Sequence, residues 1–425
     1  MNKIRYIFYL LAACLYLFLA SCSNQKTNWT HFRGSRLDGI ADVSKVPEKW
    51  TADSNIYWKA EIHDKGWSSP VVYSDQVWVT TATEDGKKLY AVCIDYGTGK
   101  IVQDIKVFEP DTVYSKHSIN SYATPTPCIE KDFVYVHFGR YGTACINTNT
   151  GKIIWQRTDL ICDHVQGPGS SPILYKNLLI LHLEGSDVQF IVALNKKDGS
   201  TVWKTERKRE FYESLEPIGK KAYITPLIIN VKGRDIMISN GSAVCNAYDP
   251  ETGKEIWWIV KGDDSTIAMP FSENGVVYFY TSYINPPEGE NYAELMAVNP
   301  DCQGDAEKNI LWSIRTPILQ LLTPVIRNGL IYTIDTESNL KCIDSQTGDS
   351  IYSNRMKGKF NSSPVFAAGK IYFCSTQGEI IVLRAGSVCD IIARNKLEGE
   401  IWATPAILRN SILIRTSKYL YRIGS

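Results

Sequence analysis

Apolar and polar positions alternate in short runs along most of the chain. That is the period-two signature of half-buried strands rather than the 3.6-residue period of helices. Gln76–Thr80 (QVWVT), Phe133–His137 (FVYVH) and Leu330–Ile334 (LIYTI) are the plainest runs. The stretch from Ser170 to Trp203 shows how they group. A Ser-Pro start leads into an apolar strand, a turn, a second strand and a polar loop. A third strand ends in Ala193-Leu194-Asn195, a turn closes at Gly199, and a fourth strand carries Trp203. This predicts a four-stranded antiparallel meander. A sheet so small cannot bury both faces alone, so copies of it must stack.

Eight such starts follow one another: Ser69-Pro70, Thr126-Pro127, Ser171-Pro172, Thr225-Pro226, Met269-Pro270, Thr323-Pro324, Ser363-Pro364 and Thr404-Pro405. Proline is tolerated at the first residue of a strand, where the ladder can forgo an N–H. The turn between third and fourth strands recurs as Asp95–Gly99, Asn147–Gly151, Asn195–Gly199, Asp249–Gly253 and Asp344–Gly348. Its Asp or Asn bonds backbone two residues on, and its Gly supplies a positive φ. Asn299–Gly304 is a lengthened form and Leu383–Gly386 a degraded one. The last repeat, Trp402 to Ile423, has room for three strands only. The missing fourth is Ile56–Ile62, which reads as a repeat end without a beginning. Donated from the N-terminal side, it closes a ring and leaves no open edge. The predicted fold is all-β: an eight-bladed β-propeller of four-stranded antiparallel blades, closed by an N-terminal strand and spanning residues 31–425.

Composition agrees, with 11 Trp, 24 Tyr and 13 Phe in 425 residues. The 46 basic and 45 acidic residues nearly cancel, so no nucleic-acid partner is expected. Lys3 and Arg5 precede an apolar run, Ile7–Ala20, too short for a comfortable span. Leu19-Ala20-Ser21-Cys22 resembles the bacterial lipobox. That resemblance implies a signal peptide over 1–21, a lipid on Cys22, and a polar tether over 22–30. Ser23 rather than Asp after the Cys, and the absence of an acidic run, imply an outer-membrane anchor facing the periplasm. Cys93, Cys145 and Cys342 stand where other repeats carry Ala193, Ala247 and Ala297, so they read as buried thiols. For Cys128, Cys162, Cys245, Cys302, Cys374 and Cys389 thiol and disulfide both stay open. No Cys-x-x-Cys pair is present, so no metal is expected.

The recurring Ala-x-Asp/Asn, the Thr-Gly turn and the fourth-strand Trp resemble the tryptophan-docking repeat of pyrroloquinoline-quinone (PQQ) type propellers. By that resemblance Trp155, Trp203, Trp257 and Trp312 each dock between neighbouring blades, with Val102 and Tyr352 at weaker versions of the position. The family has two relevant branches: quinoprotein dehydrogenases, and lipid-anchored outer-membrane assembly scaffolds of the BamB type. The dehydrogenases show a vicinal Cys pair under the cofactor and a calcium site of Glu and Asn oxygens. This sequence has no adjacent Cys pair, and no segment matches their calcium or cofactor ligands.

The loops between blades, and between second and third strands, share the face where the central funnel opens. His137, Arg140, His164, Glu184 and Asp187 fall on these loops, where they would ring the mouth or meet a ligand there. No Ser-His-Asp order or His-x-His spacing marks nucleophilic or metal chemistry, so no catalytic residue is assigned. Trp67 and Trp402, just ahead of their Ser/Thr-Pro starts, are placed to project into the funnel as a sugar platform or a partner anchor. Three loops exceed what a turn requires: Phe108–Tyr122, Lys204–Ala222 and Tyr283–Glu294. The charged Lys204–Glu216 suggests a short helix or a solvated loop on the rim. The leading expectation is a monomeric, non-catalytic scaffold, free of cofactor, holding protein partners at the outer membrane. The alternatives are a PQQ- and calcium-dependent sugar or alcohol dehydrogenase and a carbohydrate-binding propeller.

Overall fold

In the computed structural model each of the eight prolines opens the innermost strand of a separate sheet, from Val71–Tyr73 after Pro70 to Ala406–Leu408 after Pro405. The described residues are 28–51, 54–264, 266–284, 286, 289–317 and 321–424. The expected signal peptide, Cys22 and most of the tether therefore lie outside the described residues. Among those described, no helix is long and apolar enough to cross a membrane.

Blade 3 is the predicted meander: Ile173–Tyr175, Leu178–Glu184, Gln189–Asn195 and Thr201–Glu206, hydrogen-bonded in chain order. The other blades repeat it, so the fold is the eight-bladed propeller expected from the repeat. Two blades gain a short parallel fifth strand. Ile40–Ala41 joins the inner strand of blade 7, and Gly304–Asp305 joins the outer strand of blade 4. Strands of the inner three positions are buried on both faces, which is why their sequences run apolar rather than strictly alternating.

The outer-strand tryptophans dock on the next blade. Trp155 covers Gly199 and donates its indole N–H to Lys196 O at 2.9 Å; Trp312 covers Gly348 and donates to Ser345 O at 3.0 Å. Trp257 reaches Pro300 O in the lengthened turn at 3.1 Å, and Trp203 packs on Gly253. A methyl on Gly199 would stand 2.7 Å from the Trp155 ring, so close approach as well as φ of +73° requires glycine there. Blade 1 corrects the reading of Val102. The bulge common to the blades lies here between Cys93 and Ile94, so Gln103, at the same offset from Gly99 as Trp203 from Gly199, faces Cys93 and reaches Thr148 O at 2.6 Å, while Val102 is exposed.

The ring closes as expected. Ile56–Glu61 pairs antiparallel with Tyr419–Gly424, and Trp58 covers Gly99 with its N–H on Tyr96 O at 2.9 Å. Buried Arg415 of blade 8 clamps the seam, donating to Ser68 Oγ at 2.6 Å and Thr80 O at 2.8 Å. Burial lowers its pKa to about 9.

The described segment before the closing strand is bound to the blades from Trp29 onward. Trp29 is buried and exchanges backbone hydrogen bonds with Val72, while Thr30 O accepts from Ile129 N at 2.9 Å. His31 Nε2 accepts from Leu174 N at 3.1 Å, which leaves the proton on Nδ1, and burial lowers its pKa to about 4. Arg33, fully buried, then donates to Thr323 O, Pro324 O and Pro364 O at 2.7–3.1 Å. The chain thus passes from blades 1–3 to blades 6–7 across the axis of the ring and stoppers its central channel.

Candidate functional site

The stopper turns the channel into a blind funnel of about 390 Å³, with Phe32 at its base. Its wall is built in layers by the repeat. The residue before the strand-opening proline lines the funnel in every blade but the fifth, where Met269 packs into the core, and so does the residue two before it in all eight, because side chains alternate along an extended chain.

The lower layer is a hydroxyl ring held by backbone. Ser69 N donates to Thr126 Oγ1 at 2.9 Å, Thr126 N to Ser171 Oγ at 3.0 Å, and Ser171 N to Thr225 Oγ1 at 3.1 Å. The circle resumes with Met269 N to Thr323 Oγ1, Thr323 N to Ser363 Oγ and Ser363 N to Thr404 Oγ1, each at 3.0 Å. Thr404 N to Ser69 Oγ, also 3.0 Å, completes it. The one break falls between Thr225 and Met269, where a thioether replaces the hydroxyl. Each hydroxyl accepts, so its own hydrogen remains available to donate. The second layer reads Trp67, Thr124, Gly169, Tyr223, Ile267, Leu321, Asn361 and Trp402 around the ring, all lining the funnel.

Trp67 and Trp402 meet across the seam as a stacked pair, with centroids 5.2 Å apart and planes within 17°. Their N–H groups are spent on Ile119 O at 3.1 Å and Glu400 Oε2 at 3.0 Å, so ring carbon is what they offer a ligand. Tyr223 faces them from blade 4, its O–H donating to His164 O at 2.6 Å. A Cβ on Gly169 would lie 2.8 Å from that of Tyr223, so the small residue gives the tyrosine its place. Lys221 supplies the cationic side chain of the wall. Burial lowers its pKa, with the Asp264 charge acting the other way, and its Nζ donates to Ile218 O.

Of the seven mouth residues expected from sequence, Trp67 and Trp402 line the funnel; the other five do not. His137 is buried against Thr143 Oγ1 at 2.8 Å, and burial, then His164, lowers its pKa to about 3. His164 Nε2 lies 3.3 Å from Cys162 Sγ; burial lowers its pKa to about 4 and pushes the Cys162 thiol well up, so both are neutral. Arg140 lies over the Tyr114 ring at 3.4 Å, and Asp187 Oδ1 accepts from Asp163 N at 2.8 Å. These are loop-fastening contacts.

Glu184 is deeper still, between blades 3 and 4. Its Oε2 stands 3.1 Å from His182 Nε2, whose pKa burial lowers, and 3.3 Å from the charged Arg207 Nε, neither an aligned hydrogen bond. Its Oε1 accepts from Tyr212 O–H at 2.5 Å and Ser242 N at 3.1 Å. Burial works to raise the carboxyl pKa, but Arg207, His182 and Tyr212 hold it below its usual value. Arg207 also donates to Ser239 Oγ at 2.8 Å and to Asn246 Oδ1. Sequence reasoning missed Arg207 and Tyr212 because it took Lys204–Glu216 for a rim element, and His182 because it sits inside the apolar strand Leu178–Glu184. That loop instead folds inward over two 3-10 turns, Arg209–Phe211 and Pro217–Lys220, and delivers Lys221 and Tyr223 to the funnel wall.

The tryptophan-on-glycine ring defines a propeller of the PQQ type. Within that class, the family described as outer membrane protein assembly factor BamB matches residues 49–216 and 187–302. The chain belongs to that family. The Yersinia pestis outer membrane protein assembly factor BamB is 22% identical over 297 residues, covering 66% of this chain and 68% of that protein. Tetrathionate hydrolase of Acidithiobacillus ferrooxidans is 21% identical over 285 residues, 62% of this chain; the chain spans about half (52%) of the hydrolase. In structure, BamB from Moraxella catarrhalis superposes with a TM-score of 0.59 at 12% identity, covering 87% of this chain and 97% of that one. Quinohemoprotein alcohol dehydrogenase ADHIIG from Pseudomonas putida HK5 gives 0.65 at 10% identity, covering 93% and 79%. At such identities these superpositions establish a shared fold.

Proposed function

We propose that this protein is a non-catalytic scaffold, lipid-anchored through Cys22 at the outer membrane and facing the periplasm, that holds a protein segment of an assembly partner at the funnel mouth. Membership of the BamB family supports the reading, as does the assembly role in the name of the Yersinia pestis relative. The observation that carries it is the mouth itself. Tyr114, Ile119, Ile161, Val188 and Ile218 stand 38–51% exposed on loops of this face, beside the buried Glu184–Arg207 contact. Apolar side chains on a rigid, polar-rimmed platform suit a partner's anchor residues.

The donor set weighs against the quinoprotein alternative. Calcium takes six to eight oxygens, typically several of them from carboxylates. Among the described residues Asp264 is the carboxylate lining the funnel, and it sits near Lys221. Glu184 is already committed to Arg207, Tyr212 and Ser242. No adjacent Cys pair exists to lie beneath a quinone.

The test is retention of an outer-membrane assembly component by the tagged full-length chain purified from membranes. Ile161→Asp with Val188→Asp, both outside the funnel lining, should abolish it while melting stays unchanged. Retention by that variant would refute the mouth as the surface used. PQQ with calcium should leave the melting temperature in place. A rise matching about 2.7 kcal/mol at a hundredfold excess over the dissociation constant would instead restore the enzyme reading.

A further inference from the structure

We infer that the blind funnel is a binding site for a neutral saccharide of one or two sugar rings. The inference stands apart from the scaffold reading, which uses the exposed mouth and not the cavity below it. At about 390 Å³ the funnel sits at the lower end of the range for small-molecule sites, roughly 300–1,000 Å³. It is closed below by the stopper, its lower wall is built from blade ends, and loop residues such as Ile119, Ile218 and Lys221 complete it.

The chemistry of its two layers selects the ligand. The lower layer presents a circle of hydroxyls, each with its oxygen occupied by a backbone N–H and its hydrogen left to donate. The upper layer presents aromatic carbon on opposite sides, the Trp67–Trp402 pair and Tyr223, with their own polar atoms already engaged. Asn361 adds a carboxamide with no hydrogen-bond partner among the described residues. A pyranose ring matches this division. Its C–H face carries partial positive charge that packs on the negative face of an indole. Its hydroxyls, each donor and acceptor, take up the ring of donors and the carboxamide.

Other chemistries fit less well. A wholly apolar ligand would bury the hydroxyl donors without acceptors, leaving their desolvation uncompensated. Among the described lining residues Lys221 is the one lysine or arginine an anion would meet, and its ammonium is already turned to Ile218 O beside Asp264. The sequence carries the signature in its spacing: Trp-x-Ser-Pro at 67–70 and Trp-x-Thr-Pro at 402–405 fall on adjoining blades.

The test titrates the full-length protein, in a detergent without a sugar head group, with maltose, cellobiose, lactose and diacetylchitobiose. Tryptophan fluorescence and calorimetry are the readouts. At least one sugar should give saturable, one-site binding. Trp402→Ala should weaken it tenfold or more, Trp402→Phe should keep most of it, and Asn361→Leu should weaken it without touching the aromatic pair. Melting temperatures of the variants report folding separately. Absence of saturable binding with all four sugars overturns the inference, as does unchanged affinity in Trp402→Ala. Binding of a Trp- or Phe-bearing tripeptide in their place would also overturn it and assign the cavity to the partner's chain. Partner retention on membranes is a separate readout, so either proposal can fail alone.

Discussion

Removing Arg207 should reverse the pH dependence that Glu184 contributes to stability. Both side chains are fully buried, and the arginine is the strongest influence lowering the carboxyl pKa. In the native protein the Glu184 pKa lies below its ordinary 4.5. The linked stability is therefore present above pH 4.5 and is lost as pH falls through the folded value. Arg207→Met leaves burial as the dominant influence, and burial raises a carboxyl pKa. The contribution is then largest below pH 4.5 and disappears as pH rises toward the new value. Breaking one side of a buried ion pair costs about 3–5 kcal/mol, because the remaining charge is left unpaired. Tyr212 O–H and Ser242 N–H stay on the carboxylate, which places the expectation near the bottom of that range, about 3 kcal/mol. Adding Glu184→Gln removes the stranded charge while keeping an oxygen for those two donors, so the double variant should regain most of the loss. Denaturant titrations followed by tryptophan fluorescence between pH 5 and 7 make the comparison. The argument fails if Arg207→Met costs less than about 1 kcal/mol, if its stability does not fall from pH 5 to 7, or if the double variant is no better than the single.

Two further outcomes test the ring and its edge. Gly199→Ala should destabilise by about 2 kcal/mol or more in denaturant, combining a φ of +73° with a methyl 2.7 Å from Trp155. Gly275→Ala, at a φ of +79° with open space around it, should cost only about 1 kcal/mol, and equal losses would count against docking as the added cause. His63 should titrate above 6.5 by NMR: burial opposes its charge, but hydrogen bonds to Asp64 and Asp104 prevail. Its small stabilising contribution is present below pH 6.5 and fades as pH rises through the folded value. Asp104→Asn should bring the titration down, and no movement would remove that carboxylate from the account.

The blades, their number and the closing strand were legible in the sequence because each depends on chemistry within a few residues. A proline opens the inner strand, an Asp or Asn with Gly shapes the outer turn, and a tryptophan four residues past that Gly meets the next blade. Even the funnel pair was readable, since Trp67 and Trp402 hold the same offset from their prolines. The docking residue of blade 1 was misplaced by one position, to Val102, because Gln103 keeps the offset of the tryptophans from the turn glycine without their aromatic side chain. Tertiary structure alone decided what lies between repeats. Arg33 reaches carbonyls about 290 to 330 residues away, and Glu184 finds Tyr212 and Ser242 through a loop that reads as solvated charge. His137, Arg140, His164 and Asp187 do not line the funnel: His137 and His164 are engaged by neighbouring residues of their own segments, and Arg140 and Asp187 by other loops. A charged or polar residue carries no local mark of whether it will be buried, because its partner is supplied by the closing of the ring. Periodicity encodes which side of a strand is covered; only the stacked blades determine what covers it.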